Sequence, residues 1–125
     1  MATQALTAAT FEQTVRENDI VLVDFWASWC GPCRMFAPIF ERASAAHAGI
    51  VFGKVDTEAE QSLAAAARIS SIPTLMAFRD GIQVFRQPGA LPAASLEQVI
   101  SAIRELDMDD VRSKVAETQS SATAS

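Results

Sequence analysis

Cysteine is scarce in this chain and histidine scarcer: Cys30, Cys33 and His47 are the full complement in 125 residues. A secreted domain held together by disulfides carries more cysteines, spread along its length, so that class is excluded. A structural zinc site needs four ligands, as a rule Cys or His, and these three residues do not supply them. An iron–sulfur cluster fails on the same shortage. No metal is therefore expected. Positive charge is also short. Ten Lys and Arg stand against fifteen Asp and Glu, a net charge of −5. With no basic run, the chain is a poor binder of nucleic acid and of anionic membrane surfaces. Long apolar stretches are missing: the runs 20–23, 25–27 and 63–67 fall far short of the ~20 residues of a membrane helix. Residues 1–10 have no basic residue and no apolar run, so no secretory signal is expected and a cytoplasmic location is, unless a leader was removed from a longer precursor. There is no internal repeat and no nucleotide-binding fingerprint, so no bound cofactor is expected.

What is present suits one domain around one core: 50% of the residues are hydrophobic and 20% charged. Thr10 with Gln13 reads as a capping box opening a helix to about Glu17. The β-branched run Ile20 to Ala27 reads as a central strand covered on both faces. Gly31-Pro32 turns into a helix reaching about His47, with Pro38 expected to kink it. Ile50 to Val55 is a further strand. Thr57 with Glu60 is a second capping box, before an Ala-rich helix through Ala67. Thr74 to Phe78 and Ile82 to Phe85 flank Asp80-Gly81, a hairpin signal. Pro92 to Leu106 has helical spacing at Leu96, Val99, Ile100 and Ile103. A short first strand near Ala5-Leu6 completes the order. The product is an α/β domain, a mixed central sheet flanked by helices on both faces, over residues 1–107. Residues 108–125 read as a frayed helix end and a disordered tail, acidic and then rich in Ser, Thr and Ala. No feature demands more than a monomer.

The chemistry sits in Trp29-Cys30-Gly31-Pro32-Cys33. A disulfide across two intervening residues closes so small a loop that its chain-entropy stabilisation is only about 2 kcal/mol. Chemistry explains such a pair better than scaffolding does. A thiolate at a helix start faces unpaired N–H groups and the positive end of the helix dipole, which lowers its pKa. The spacing lets the second sulfur reach the first across one turn. On this reading Cys30 is the exposed nucleophile and Cys33 the buried resolving thiol. Asp24 is a carboxylate inside the apolar run Ile-Val-Leu-Val-Asp-Phe-Trp. Burial raises such a pKa toward neutrality and suits proton transfer, but a bend that solvates Asp24 reads equally well from these residues alone. Lys54 is a candidate partner for Asp24, or simply an exposed lysine. Pro73 follows Ile72 at a strand start, where composition favours an ordinary trans bond. Trp26 and the residues Phe36, Phe40, Phe52, Met76 and Phe78 read as core, and His47 as a helix-end residue.

Taken together, these motifs resemble the thioredoxin family. Trp29-Cys30-Gly31-Pro32-Cys33 matches its active-site motif, and Val23-Asp24-Phe25-Trp26-Ala27 is similar to its central strand. Ser71-Ile72-Pro73-Thr74 looks like its cis-proline segment, Phe78-Arg79-Asp80-Gly81 like its hairpin and Gly89-Ala90 like its final loop. The similarity runs from about Phe11 to Leu106 in the family's order. It implies the thioredoxin fold and a protein-disulfide reductase in which Cys30 attacks and Cys33 resolves. It further implies that Asp24 helps deprotonate Cys33 and that Pro73 is cis against the dithiol. Backbone at Ile72 would pair with an extended substrate, a form of strand addition. Trp29, Gly31, Pro32, Ile72, Gly89 and Ala90 would form the substrate rim. The implied partners are disulfide-containing proteins and a flavin- and NADPH-dependent thioredoxin reductase. Gly31-Pro32 matches reducing members of the family; an oxidant or isomerase, or a binding module without turnover, are the rival readings.

Overall fold

The computed structural model describes residues 2–124. Ten elements follow one another: β1 (Thr3–Ala5), α1 (Phe11–Glu17), β2 (Ile20–Trp26), α2 (Gly31–Ala46), β3 (Val51–Asp56), α3 (Gln61–Ala66), β4 (Thr74–Arg79), β5 (Ile82–Pro88), α4 (Ala93–Arg104) and α5 (Met108–Ala124). The sheet order is β1-β3-β2-β4-β5. β1 and β2 run parallel to β3, while β4 is antiparallel to both β2 and β5. This is the mixed, doubly covered sheet that the strand-helix-strand run and the Asp-Gly hairpin predict.

The covered strand β2 explains the two-sided core. Side chains alternate along a strand, so successive residues serve opposite faces. Val21, Val23 and Phe25 pack with Val15, Val55, Met76 and Phe78, the cluster that α1 and α3 close with Phe11 and Leu63. Ile20 and Leu22 pack with Phe36 and Phe40 of α2 and with Leu96, Ile100 and Ile103 of α4. Asp24 shares the even-numbered series and therefore lies on the α2 side of the sheet. Every residue from Ile20 to Phe25 is buried, which is why the run is apolar without alternation. The rings of Phe36, Phe40 and Phe52 pack in series, tilted and then edge-on, at 5.6 and 5.1 Å between centroids.

Asp80 and Gly81 both take positive φ, 53° and 80°, as a two-residue hairpin of this twist requires. β5 runs to Pro88, three residues beyond the predicted end, because its pairing with β4 continues to Thr74 opposite Pro88. The first strand lies at Thr3–Ala5, slightly upstream of its expected place, and Leu6 beyond it is buried beside Gly53. α2 continues through Pro38.

Three local readings are corrected. Neither capping box forms. Thr10 stands at the N-cap of α1 without capping it, its hydroxyl instead accepting from the Thr7 N–H at 3.0 Å. Thr57 donates its hydroxyl to the Trp26 carbonyl at 3.0 Å, tying β3 to β2, and α3 starts only at Gln61. A local turn took the Thr10 hydroxyl and a tertiary partner took that of Thr57. The expected disordered tail carries α5 instead. Asp107 accepts from the N–H groups of Asp109 and Asp110 at 3.1 and 3.3 Å, and Met108 is buried. The acidic cluster, read as a frayed helix end, is an N-cap followed by a first turn with Asp109 and Asp110, which suits the positive end of a helix. Arg79 reinforces the junction, donating to the carbonyls of Ile103, Arg104 and Leu106 at 2.8, 3.1 and 2.9 Å. Among the described residues no helix is long and apolar enough to cross a membrane.

Candidate active site

β2 delivers the chain to the start of α2 through 27–30, and the dithiol forms there. Cys30 is the N-cap of α2, with extended backbone (φ −86°, ψ 116°), and Pro32 occupies the first turn, where a missing N–H costs nothing. Cys30 and Cys33 are joined as a disulfide, with Cα atoms 5.2 Å apart. The Cys33 N–H donates to Cys30 Sγ at 3.2 Å. The first sulfur thus receives one of the helix's unpaired donors, the interaction that stabilises a thiolate there.

The expectation that Cys30 would be exposed is corrected. Cys30 is 4% exposed and Cys33 2%. Both pack with Ala27, and Trp26 and Ile72 close over the cluster. Trp26 is accordingly half-buried and packs against the cluster that holds the dithiol. Exposure does not separate the two cysteines; position does. Cys30 precedes the helix and its sulfur lies 3.6 Å from the Ile72 carbonyl oxygen, whereas Cys33 is inside the first turn.

The segment facing the dithiol is built from both ends of the hairpin. The Ile72-Pro73 bond is cis. The Thr74 hydroxyl donates to the Ser71 carbonyl at 2.6 Å, and Gly89 N–H donates to the Pro73 carbonyl at 2.8 Å. Gly89 has φ +94°, a conformation that side chains oppose. Ala90 follows it, exposed. Gly31 and Pro32 are exposed, and Trp29 is exposed to 65%. A cleft of about 400 Å³ lies between Trp29, Ile72 and the end of α3, lined also by Gln61, Ala64, Ile69 and Ser70. Sequence reasoning missed this α3 side of the rim. Its only signal in the sequence is the run of small side chains at 64–67, which leaves a low wall on the side of α3 facing Trp29. A larger cleft of about 540 Å³ between α5 and β5 contains none of the residues around the dithiol.

Asp24 is wholly buried, and neither carboxyl oxygen has a hydrogen-bond partner. Burial drives its pKa from 3.8 up to about 7, and the attraction of Lys54 moderates the rise. Lys54 sits opposite Asp24 in the parallel register of β2 and β3. No Asp24–Lys54 ion pair is made among the described residues, and the Lys54 ammonium instead lies 5.0 Å from the centre of the Trp26 ring. The expected pairing is thus a long-range attraction, not a salt bridge. His47 caps the far end of α2, hydrogen-bonded to Glu97 at 2.8 Å. Among the described residues no cluster of His, Cys, Asp and Glu is suited to a metal.

Comparisons with known proteins agree with this arrangement. The family model named Thioredoxin matches residues 2–102. A protein of Streptomyces coelicolor, provisionally named thioredoxin 2, is 57% identical over 121 residues, covering 97% of this chain and 90% of its own. Thioredoxin 1 of Synechococcus elongatus is 47% identical over 98 residues, 77% of this chain and 92% of its own. Among solved structures, a single-substitution mutant of a thioredoxin from Halobacterium salinarum superposes with a TM-score of 0.77 at 32% identity, over 84% of this chain and 94% of that one. A match of this extent, over a chain that holds the Cys30–Cys33 dithiol, places it in the thioredoxin family of dithiol–disulfide oxidoreductases.

Proposed function

We propose that this chain reduces disulfides in protein substrates by two successive exchanges with unequal cysteines. The Cys30 thiolate attacks one sulfur of the substrate disulfide. A Cys30–substrate disulfide forms and the other substrate sulfur leaves as a thiolate. Asp24 takes the Cys33 proton, and the Cys33 thiolate attacks Cys30 Sγ. The internal disulfide forms and the second substrate thiolate is released, so two electrons pass to the substrate. The Cys33 N–H directed at Cys30 Sγ is the observation that carries this order, because it favours the thiolate at Cys30. The buried Asp24, poised near pH 7, suits the proton step.

Trp29, Gly31, Pro32, Ile72, Pro73, Gly89 and Ala90 form the substrate side of the site. The backbone of Ile72 offers strand-like hydrogen bonds to an extended segment. Residues 1–107 are the working domain, and 108–125 are an appendage to it. A separate flavin- and NADPH-dependent thioredoxin reductase returns the disulfide to the dithiol, the protein works as a monomer, and its place is the cytoplasm, where thiols are kept reduced. Insulin reduction tests the reading: turnover of insulin disulfides with NADPH and a thioredoxin reductase is expected. Absence of turnover with the reductase and with dithiothreitol alike would remove it. A potential well above the cytosolic poise would favour the oxidant reading instead.

A further inference from the structure

The chain that brings Ile72 to the dithiol leaves α3 through a turn with an uncommon occupant. The Ile69 N–H donates to the Ala64 carbonyl and the Arg68 N–H to the Ala65 carbonyl, both at 3.0 Å. These paired bonds close a helix on a left-handed residue. That residue is Arg68, at φ +57°. Glycine is the usual occupant, because a side chain opposes this conformation.

The closure leaves the carbonyls of Ala67 and Arg68 to be taken from outside the helix, and Arg86 of β5 takes both. Its guanidinium donates through Nη1 to the Ala67 carbonyl at 2.6 Å and through Nη2 to the Arg68 carbonyl. The reach follows from the sheet. Arg86 stands opposite Met76, so the two side chains leave the sheet on one face, where Ala67 and Ile69 pack against the cluster that holds Met76. A cation at the negative end of a helix, with charge-assisted bonds to its last carbonyls, is a strong tie.

Ile69, Ser70, Ser71 and Ile72 follow Arg68 directly. They line the cleft against Trp29, and the Ile72 carbonyl oxygen lies 3.6 Å from Cys30 Sγ. Downstream, this segment is tied at Ser71 by Thr74 and at Pro73 by Gly89. Arg86 is the tie at its upstream end. One side chain thus joins the strand that leads to Gly89 with the loop that leads to Ile72.

We infer that Arg86 is a positioning residue, which by holding the Ala67 and Arg68 carbonyls fixes the 69–72 loop so that the Ile72 backbone meets an incoming polypeptide in register. This inference rests on the disulfide-reductase reading. Arg86 contacts no reacting atom and acts only through the loop. A protein disulfide that pairs with Ile72 along its own backbone depends on that register. A small disulfide without a backbone does not.

The test measures the rate constants with which insulin and 2-hydroxyethyl disulfide oxidise the reduced full chain, by rapid quench and thiol alkylation. Arg86→Ala is expected to lower the insulin rate constant by about three- to tenfold and to leave that for the small disulfide within about twofold. Amide exchange should quicken at 69–72. Arg68→Gly in the Arg86→Ala chain should restore most of the insulin rate, because glycine takes the left-handed conformation without a tie. An unchanged insulin rate in Arg86→Ala overturns the inference. So does an equal loss on both disulfides, which would place the effect at the dithiol itself. A loss that Arg68→Gly does not restore also overturns it, since Arg86 would then act on the substrate and not through the turn. Failure of insulin to oxidise the native chain is a separate result: it removes the reductase reading itself.

Discussion

Replacing Asp24 with Asn should stabilise the protein, and by an amount that grows with pH. The carboxyl holds its proton to about pH 7 in the fold, against 3.8 for an ordinary aspartate. Below about pH 4 it is protonated in the folded and unfolded chain alike and contributes no pH dependence. Between those values the unfolded chain ionises while the native state keeps its proton, so stability falls as pH rises. Above pH 7 both are ionised and the loss is complete. At about 1.4 kcal/mol per pH unit, the full cost is about 4 kcal/mol. Asn has the same shape and does not titrate, so Asp24→Asn removes the pH-dependent cost. Any constant difference between amide and protonated carboxyl cancels between pH values. Urea unfolding of the oxidised proteins, which keeps the thiols from titrating, measures the difference. The variant's advantage should widen by about 4 kcal/mol between pH 4 and pH 8, most of it between pH 5 and 7. A pH-independent difference, or one that narrows as pH rises, would refute the claim that an unpaired buried carboxylate is the cause.

Three further outcomes are expected. Cys33→Ser should accumulate mixed disulfides with substrate proteins and Cys30→Ser should not, visible as adducts on non-reducing gels; equal trapping by both would reverse the assigned roles. Phe40→Ala removes a wholly buried ring between Phe36 and Phe52 and should cost about 3–5 kcal/mol in urea unfolding. Asp107→Ala removes the cap of α5, a loss of about 1 kcal/mol confined to that helix. Amide exchange should therefore quicken at 109–112 while β2 is unaffected.

Much of the fold was legible because local pattern and global burial agree here. A strand buried on both faces has to be a continuous apolar run, and Ile20 to Phe25 is one. The Asp80-Gly81 pair is among the few that tolerate positive φ at both hairpin positions. The local readings that failed concern groups with more than one available partner. The Thr10 and Thr57 hydroxyls fit capping boxes on sequence, yet Thr7 and Trp26 took them. The segment from 108 read as a frayed end and a tail because the use of the Asp107 carboxylate as a cap shows only once the N–H groups of Asp109 and Asp110 turn toward it.

The active site divides in the same way. Sequence alone determined that a dithiol separated by two residues opens a helix, since the spacing, the Gly-Pro turn and the helix dipole are local properties. It also determined that Asp24 interrupts an apolar strand. Tertiary structure decided what surrounds those groups. It buried both sulfurs under Trp26 and Ile72, set the Ile72 carbonyl 3.6 Å from Cys30 Sγ, and left Asp24 without a hydrogen-bond partner. Each of these depends on segments distant in sequence meeting at one end of the sheet, and solvation, unlike helix or strand periodicity, is a property of that meeting and not of any one segment.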